Sequence, residues 1–308
     1  MNAYQKLVDI LSSLYQENCM TENEVTLYKD YPLSRLTSFR TGGNATVLFP
    51  ETVHALTTVL PCMKREGIAY FILGCGSNVI AKDEGYDGII VNVSHLKEAS
   101  ISGNNITAQC GVSVTALAAL AQKNALSGME FFYGIPGSVG GAVFMNAGAY
   151  DGECKNILRS VTFLSREGKV QTLPAAHLEM GYRHSIFQQN GAVILSAEFQ
   201  LEPGDPAAIR SRMEELMAKR VEKQPLEYPS AGSTFKRCEG RFTAKMIEDA
   251  GLKGMRVGGA QVSTKHAGFI INAGNATSRD ILDLIQKVKD VILEKEQLCI
   301  ACEVRVIE

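Results

Sequence analysis

Residues 134–148 read Gly-Ile-Pro-Gly-Ser-Val-Gly-Gly-Ala-Val-Phe-Met-Asn-Ala-Gly, and the rest of the chain is organised around them. Five of these fifteen residues are glycine and none is charged. Glycine lacks a Cβ, so a second backbone or a ligand can come close to it. Successive N–H groups of a turn can also form a concave anion site. A tight crossing of two backbones would explain one glycine pair. This density, with Pro136 fixing the entry, points instead to a large bound ligand, whose identity the rest of the chain must supply.

Composition narrows the classes. The chain has 308 residues, 45% hydrophobic and 21% charged, with a net charge of −2. That length fits two or three domains, and the balance is that of a soluble globular protein. There is no basic excess to suggest nucleic acid and no charged tail. No apolar run approaches the roughly 18 residues of a membrane span. Met1-Asn2-Ala3-Tyr4-Gln5-Lys6 lacks the layout of a signal peptide, so a cytoplasmic protein is expected. The eight cysteines are scattered, which predicts free thiols. Cys299 and Cys302 form a Cys-x-x-Cys, but inside a strand pattern and without a second pair for zinc. Neither a metal site nor a redox role is expected.

Apolar spacing predicts an amphipathic helix over 3–17, packed on the body as an N-terminal extension. Thr52 and Ser113 are N-caps for helices to 66 and 123. Strands are expected at 25–30, 45–49, 69–73, 89–93, 106–109, 161–165, 169–173 and 192–201. The break at Glu202-Pro203-Gly204-Asp205-Pro206 marks a domain boundary. Beyond it come helices to about 221, over 243–250 and over 278–295, a strand at 268–272 and a final strand at 298–307. Alternation places Leu298, Ile300, Cys302, Val304 and Val306 on its core face and Glu303 and Arg305 on the other. The irregular mixture predicts an α+β fold without a regular βαβ run.

Several segments carry candidate chemistry. Gly74-Cys75-Gly76-Ser77-Asn78 follows a strand, but position 79 is valine, so the dinucleotide fingerprint Gly-x-Gly-x-x-Gly is incomplete. Two glycine-rich turns, 74–78 and 134–148, would suit a pyrophosphate clamped by backbone N–H groups. Arg183, in Tyr182-Arg183-His184-Ser185-Ile186-Phe187, is either a surface arginine stacked on Tyr182 or a fixed cation for a carboxylate or enolate. Ser233, after Gly232 in a short loop with two cations nearby, reads as a loop serine bonding its own backbone; no Gly-x-Ser-x-Gly supports a hydrolase nucleophile. Glu303 is either half of a solvated ion pair with Arg305 or a carboxylate facing a cleft. The cations Arg220, Lys223, Lys236, Arg237, Arg256 and Lys265 form either a solvated face or a diphosphate site.

Taken together, 36–44, 74–78, 134–148, 182–187, 232–236 and 302–305 occur in the order and near the spacing of the UDP-N-acetylenolpyruvoylglucosamine reductase family, which the chain resembles from about residue 30 to its end. It resembles the shorter form, without a long insertion after Tyr182-Arg183. The resemblance implies a vanillyl-alcohol-oxidase (PCMH-type) FAD-binding fold. Its two α+β subdomains would occupy 21–204, split near 70, after the extension 1–20, and an α+β substrate-binding domain would occupy 205–308. It implies a flavoenzyme that passes a hydride from NADPH to FAD. Flavin N5 then passes a hydride to the enolpyruvyl ether of UDP-N-acetylglucosamine, forming UDP-N-acetylmuramate for peptidoglycan.

Residue by residue, the resemblance gives Arg183 and Glu303 as the enolate-stabilising pair and Ser233 as the proton donor. FAD contacts fall to Arg40, Gly74, Cys75, Gly76, Ser77, Asn78, Gly134, Ile135, Pro136, Gly137, Ser138, Gly140, Gly141, Ala142, Asn146, Ala147 and Gly148. UDP-sugar contacts fall to Tyr182, Arg220, Gln224, Lys236, Lys265, Asn272 and Arg305. Thr41-Gly42-Gly43-Asn44 lacks the histidine that tethers flavin in relatives, so FAD is expected to be non-covalent, in a monomer without nucleic-acid or membrane partners. Two positions depart from the pattern: Cys238 stands where proline is common, and Phe242-Thr243-Ala244-Lys245 replaces Phe-Ala-Gly-Lys. A flavin oxidase of another small acid, or a nucleotide-sugar binder without turnover, remains the alternative.

Overall fold

The structure is a computed structural model that describes residues 2–238 and 240–308. In chain order it runs α1 (Ala3–Gln16), β1 (Val25–Pro32), β2 (Asn44–Pro50), α2 (Val53–Arg65), β3 (Tyr70–Leu73), β4 (Val79–Ala81), β5 (Tyr86–Asn92), β6 (Ala99–Ser102) and β7 (Asn105–Gln109). Then follow α3 (Val114–Lys123), β8 (Leu126–Ser127), α4 (Val139–Phe144), β9 (Gly148–Ala149), β10 (Gly152–Glu153), β11 (Leu158–Leu164), β12 (Val170–Pro174) and β13 (Val193–Gln200). The last part holds β14 (Glu202–Pro203), α5 (Pro206–Lys223), β15 (Ser230–Ser233), α6 (Thr243–Asp249), β16 (Arg256–Val257), β17 (Ala260–Val262), β18 (Phe269–Asn272), α7 (Ser278–Glu296) and β19 (Arg305–Ile307).

The helix starts follow the capping residues. Thr52 accepts from the N–H of Ala55 at 3.0 Å and Ser113 from that of Ala116 at 3.4 Å, each cap stabilising by about 1 kcal/mol. Helix α7 is capped by Thr277, with Asp280 reaching back to the Thr277 N–H.

Two compact units result, and neither is a single stretch of chain. The first holds Met1–Lys29, Thr46–Cys75 and Asp87–Ala218; the second holds Asp30–Ala45, Gly76–Tyr86 and Lys219–Glu308. The change of unit after β14 comes at Ala218, inside α5, and not at the Pro-Gly break near 205.

In the first unit, β1, β2, β5 and β3 form one sheet in that order, and an antiparallel sheet runs β12-β11-β13-β7-β6. Its core takes Leu7, Leu11 and Leu14 of α1 together with α2 and the sheets, so α1 is part of that packing. Helices over 3–16, 53–65 and 114–123 and most strands lie where periodicity put them.

The second unit is built on the sheet β15-β18-β17-β16, with α7 burying Ile281, Leu284, Ile285, Val288 and Ile292. The insert Gly76–Tyr86 belongs here because β4 pairs in parallel with β19, Arg305 opposite Val79. Asp83 caps α7 as well, accepting from the Ser278 N–H at 2.8 Å.

Two expectations are corrected. The ladder at the C-terminus covers only Arg305–Ile307, not 298–307. Before it, the chain pairs elsewhere: the Lys236 N–H donates to Ala301 O and the Glu303 N–H to Thr234 O, each at 2.8 Å. The change of partner breaks the alternation, so Ile300, Val304 and Ile307 are all buried while Val306 is only half-buried. The stretch 134–148 is also more than a turn: Ser138 caps the short helix α4 within it. Its Gly140 is allowed there because Cys110 Cβ lies only 3.0 Å from where a side chain would begin.

Candidate active site

In the first unit the two glycine-rich segments touch. Ser138 Oγ lies against Gly74, where a Cβ would displace it, and also accepts from the Gly141 N–H at 3.3 Å. Strand β3 delivers Gly74 and Cys75 from its C-terminal end, while the connection between β7 and α3 holds the other segment: Val139 N–H donates to Val112 O and Gly140 N–H to Cys110 O, both at 2.8 Å. Among the described residues none accepts from the N–H of Gly137 or Ser138. Gly134 donates to Thr115 Oγ1 and Ile135 to Phe132 O. Pro136 and Gly141 are exposed, and Ala142 is buried.

Tyr182 and Arg183 form the tip of a turn closed by mutual bonds between Gly181 and His184 at 3.1 and 3.2 Å. Arg183 is left-handed, φ +52°. Its guanidinium stacks 5.1 Å from the Tyr182 ring and donates to Gly148 O at 3.4 Å. Asn146, also left-handed at φ +42°, is fully buried. Its amide donates to Gly181 O at 2.9 Å and Glu153 Oε2 at 3.2 Å, and its Oδ1 accepts from the Lys155 N–H at 2.9 Å. That side chain is engaged by protein, as are the Asn146 and Ala147 N–H groups, which donate to Val143 O and Ala142 O. Lys155 beside Glu153, with the Arg183 charge in reach, holds the Glu153 carboxyl below its usual range.

In the second unit the remaining candidates converge on β15, β18, β19 and the 76–78 turn. Gly76 is left-handed, φ +62°, and Leu36 O fills the place of its missing Cβ. Among the described residues none accepts from the N–H groups of Gly76, Ser77 or Asn78. Amides of this kind fit an anionic pyrophosphate, as do those of Gly137 and Ser138; the residues present therefore suit FAD.

The Asn78 side chain donates to Glu303 O at 3.2 Å, and Asn78 O accepts from the Arg305 N–H at 3.1 Å. Ser233 is exposed and follows the open left-handed Gly232. Thr234 is fully buried: its N–H donates to Gly268 O at 2.8 Å, its Oγ1 accepts from the Ile270 N–H at 3.1 Å, and its C=O accepts the Glu303 N–H at 2.8 Å. Glu303 is half-buried, and burial pushes the neighbouring Cys302 thiol up.

Other candidates lie elsewhere in the second unit, each with its own partner. Lys236 is half-buried, and its C=O accepts from Thr243 Oγ1 at 2.7 Å. Arg220 is buried and donates to Gln224 Oε1 at 3.1 Å. Lys265 is exposed, and its ammonium donates to Val221 O at 2.6 Å. The Asn272 carboxamide is engaged within the unit, donating to Phe39 O at 3.1 Å and accepting from Gly274 and Ala276. It thereby holds the turn of exposed Arg40, φ +57°. Sequence reasoning missed Thr234 and Gln188, whose bonds are to backbone and leave no motif.

Among the described residues no three His, Cys, Asp or Glu side chains converge as metal ligands, and no helix is long and apolar enough to cross a membrane. A groove of about 820 Å³ on the first unit, lined by residues such as His54, Lys97, Glu98 and Ser196, contains none of the motif residues.

Comparison with known proteins gives one consistent result. Residues 224–307 match the family model described as UDP-N-acetylenolpyruvoylglucosamine reductase, C-terminal domain, and residues 45–174 that of an FAD binding domain. The chain is 46% identical over 304 residues to UDP-N-acetylenolpyruvoylglucosamine reductase of Clostridium novyi, covering 97% of each. It is 46% identical over 284 residues to the enzyme of that name from Lactobacillus acidophilus, covering 92% of this chain and 95% of the relative. The crystal structure of UDP-N-acetylenolpyruvylglucosamine reductase from Thermus caldophilus superposes with a TM-score of 0.81 at 30% identity, covering 92% of this chain and all of that one.

Proposed function

The chain belongs to the UDP-N-acetylenolpyruvoylglucosamine reductase family, and on that premise we propose that it reduces the enolpyruvyl ether of UDP-N-acetylglucosamine to UDP-N-acetylmuramate, a peptidoglycan precursor, using NADPH. When bound, FAD supplies hydride transfer between NADPH and the terminal vinyl carbon of the substrate. The amides of Gly137 and Ser138 in the first unit suit an anionic pyrophosphate, as do those of Gly76, Ser77 and Asn78 in the second.

Hydride addition leaves negative charge on the substrate as an enolate of its carboxylate. The Arg183 guanidinium stabilises that charge, an effect largest where water is excluded. Ser233 Oγ–H gives its proton to the α-carbon; a serine is a weak acid, but the enolate is a stronger base. Glu303, in its protonated form, donates to the substrate carboxylate. Tyr182, Arg220, Gln224, Lys236, Lys265 and Arg305 take the UDP-sugar, with Asn272 contributing through its backbone. Flavin is held non-covalently, Asn44 standing where a tethering histidine would be. The enzyme works as a cytoplasmic monomer, for which sedimentation is the test.

One observation carries this reading: the 2.8 Å bond from the Glu303 N–H to Thr234 O, which sets Glu303 beside the residue that follows Ser233. The test is a spectrum followed by anaerobic titration. The purified protein should be yellow, NADPH should bleach it without substrate, and the enolpyruvyl sugar nucleotide should restore the colour. A colourless protein that takes up no FAD would overturn the reading. Bleaching without recolouring by that substrate would favour an oxidase or dehydrogenase of another acid.

A further inference from the structure

We propose that Gln188 is a positioning residue for Arg183, fixing the root of its side chain to the carbonyl end of α4. The proposal rests on the role given to Arg183 above. Arg183 sits at φ +52°, a left-handed conformation that is unfavourable for a residue with a Cβ. Such strain persists only where the surroundings over-determine it. Asn146 holds one end of the turn through Gly181 O. Gln188 holds the other: its amide donates to Arg183 O at 3.0 Å and to Phe144 O at 2.9 Å.

Phe144 is the last residue of α4, where carbonyls have no partner inside the helix. Ser185 Oγ donates to the same carbonyl at 2.8 Å. The turn bearing Arg183 is therefore moored to the glycine-rich helix itself. An arginine side chain is long and rich in rotamers, so a fixed root confines where its guanidinium reaches. Misplacement by 1 Å can cost about 10²-fold in rate.

The test substitutes Gln188→Met, which keeps the length and removes both donors. In the apoprotein, trypsin cleavage of the Arg183–His184 bond, followed by mass, should speed about 10-fold relative to other tryptic sites, because a local opening is released. In the flavin-loaded enzyme, reoxidation by the enolpyruvyl substrate should slow about 10- to 100-fold. In an Arg183→Ala background the same substitution should cost at most about 3-fold, since the two changes share one effect. Equal losses in both backgrounds, or unchanged cleavage after Arg183, overturn the proposal alone. An Arg183→Ala enzyme that reoxidises at the wild-type rate overturns the role of Arg183 and this proposal with it. If Gln188→Met loses flavin, Gln188→Asn, one methylene shorter, replaces it in the same cycle.

Discussion

Ser138 Oγ occupies the space that a Cβ on Gly74 would need. The same oxygen caps α4 by accepting from the Gly141 N–H at 3.3 Å. The two glycine-rich segments of the first unit are thus interlocked by one hydroxyl. Gly74→Ala should displace Ser138 and uncap α4, costing roughly 1–3 kcal/mol of stability. Bound flavin, read as the visible-to-ultraviolet absorbance ratio after purification, should fall well before the fold is lost. A Gly74→Ala protein with full flavin and an unchanged melting temperature would contradict this geometry.

Ser233→Ala separates the two half-reactions. Flavin reduction by NADPH should stay near the wild-type rate, while reoxidation by the enolpyruvyl substrate should slow by about 10²–10⁴-fold. Rapid-mixing absorbance of the flavin measures both. Equal loss in each would remove Ser233 from the proton-donor role.

Asn78 joins the 76–78 turn to the segment bearing Glu303, just before the last strand, through one side-chain bond of 3.2 Å. Asn78→Asp replaces that donor with an acceptor facing Glu303 O. The change should lower stability by about 1–3 kcal/mol, read as a shift in the urea midpoint. An unchanged midpoint would mean that the bond is not formed in solution.

The start of β1 carries a pH signature. The hydrogen bond with His54 at 2.9 Å, then the Thr21 N–H and the Thr52 hydroxyl, hold the Glu24 carboxyl at about 2, against an ordinary value of 4.5. A depressed carboxyl contributes stability that is full above its unfolded value and is lost as pH falls through its folded value. The gap in melting temperature between wild type and Glu24→Gln should therefore be full near pH 5 and close between pH 4.5 and about 2. A gap that persists at pH 2 would show that the side chain acts by packing and not by charge.

Thiol chemistry reports on the FAD turn. Cys75 is exposed, whereas Cys110 and Cys154 are buried, and burial pushes the Cys110 thiol up to about 12 and that of Cys154 further. An alkylating reagent should label Cys75 in flavin-free protein and spare Cys110 and Cys154 until unfolding. Added FAD should slow labelling of Cys75 and leave that of exposed Cys19 unchanged. Equal protection of both would place the flavin elsewhere.

Much of the candidate site was legible in residue order. Gly74–Gly76, 134–148, Tyr182-Arg183, Ser233 and Glu303 were readable because glycine, arginine, serine and glutamate do chemistry that other residue types do not. The Asn146 and Asn272 side chains could not be sorted in this way. An asparagine that holds backbone and one that faces a ligand look alike until their partners are seen, and both of these hold backbone. Gln188 and Thr234 left no trace, because their partners are carbonyls and amides that every residue carries.

The sequence by itself determined most of the helices, from periodicity and from caps such as Thr52 and Ser113. It also determined the order of the motifs and the family they resemble. Only the tertiary structure decided that Asp30–Ala45 and Gly76–Tyr86 belong with the C-terminal residues, and that the last strand begins at Arg305 after a change of partner at Glu303. The physical reason is range. Helix periodicity and capping act over three or four residues and are written locally. The pairing of Val79 with Arg305 depends on backbone hydrogen bonds between segments far apart in the chain, to which almost any side chain is indifferent.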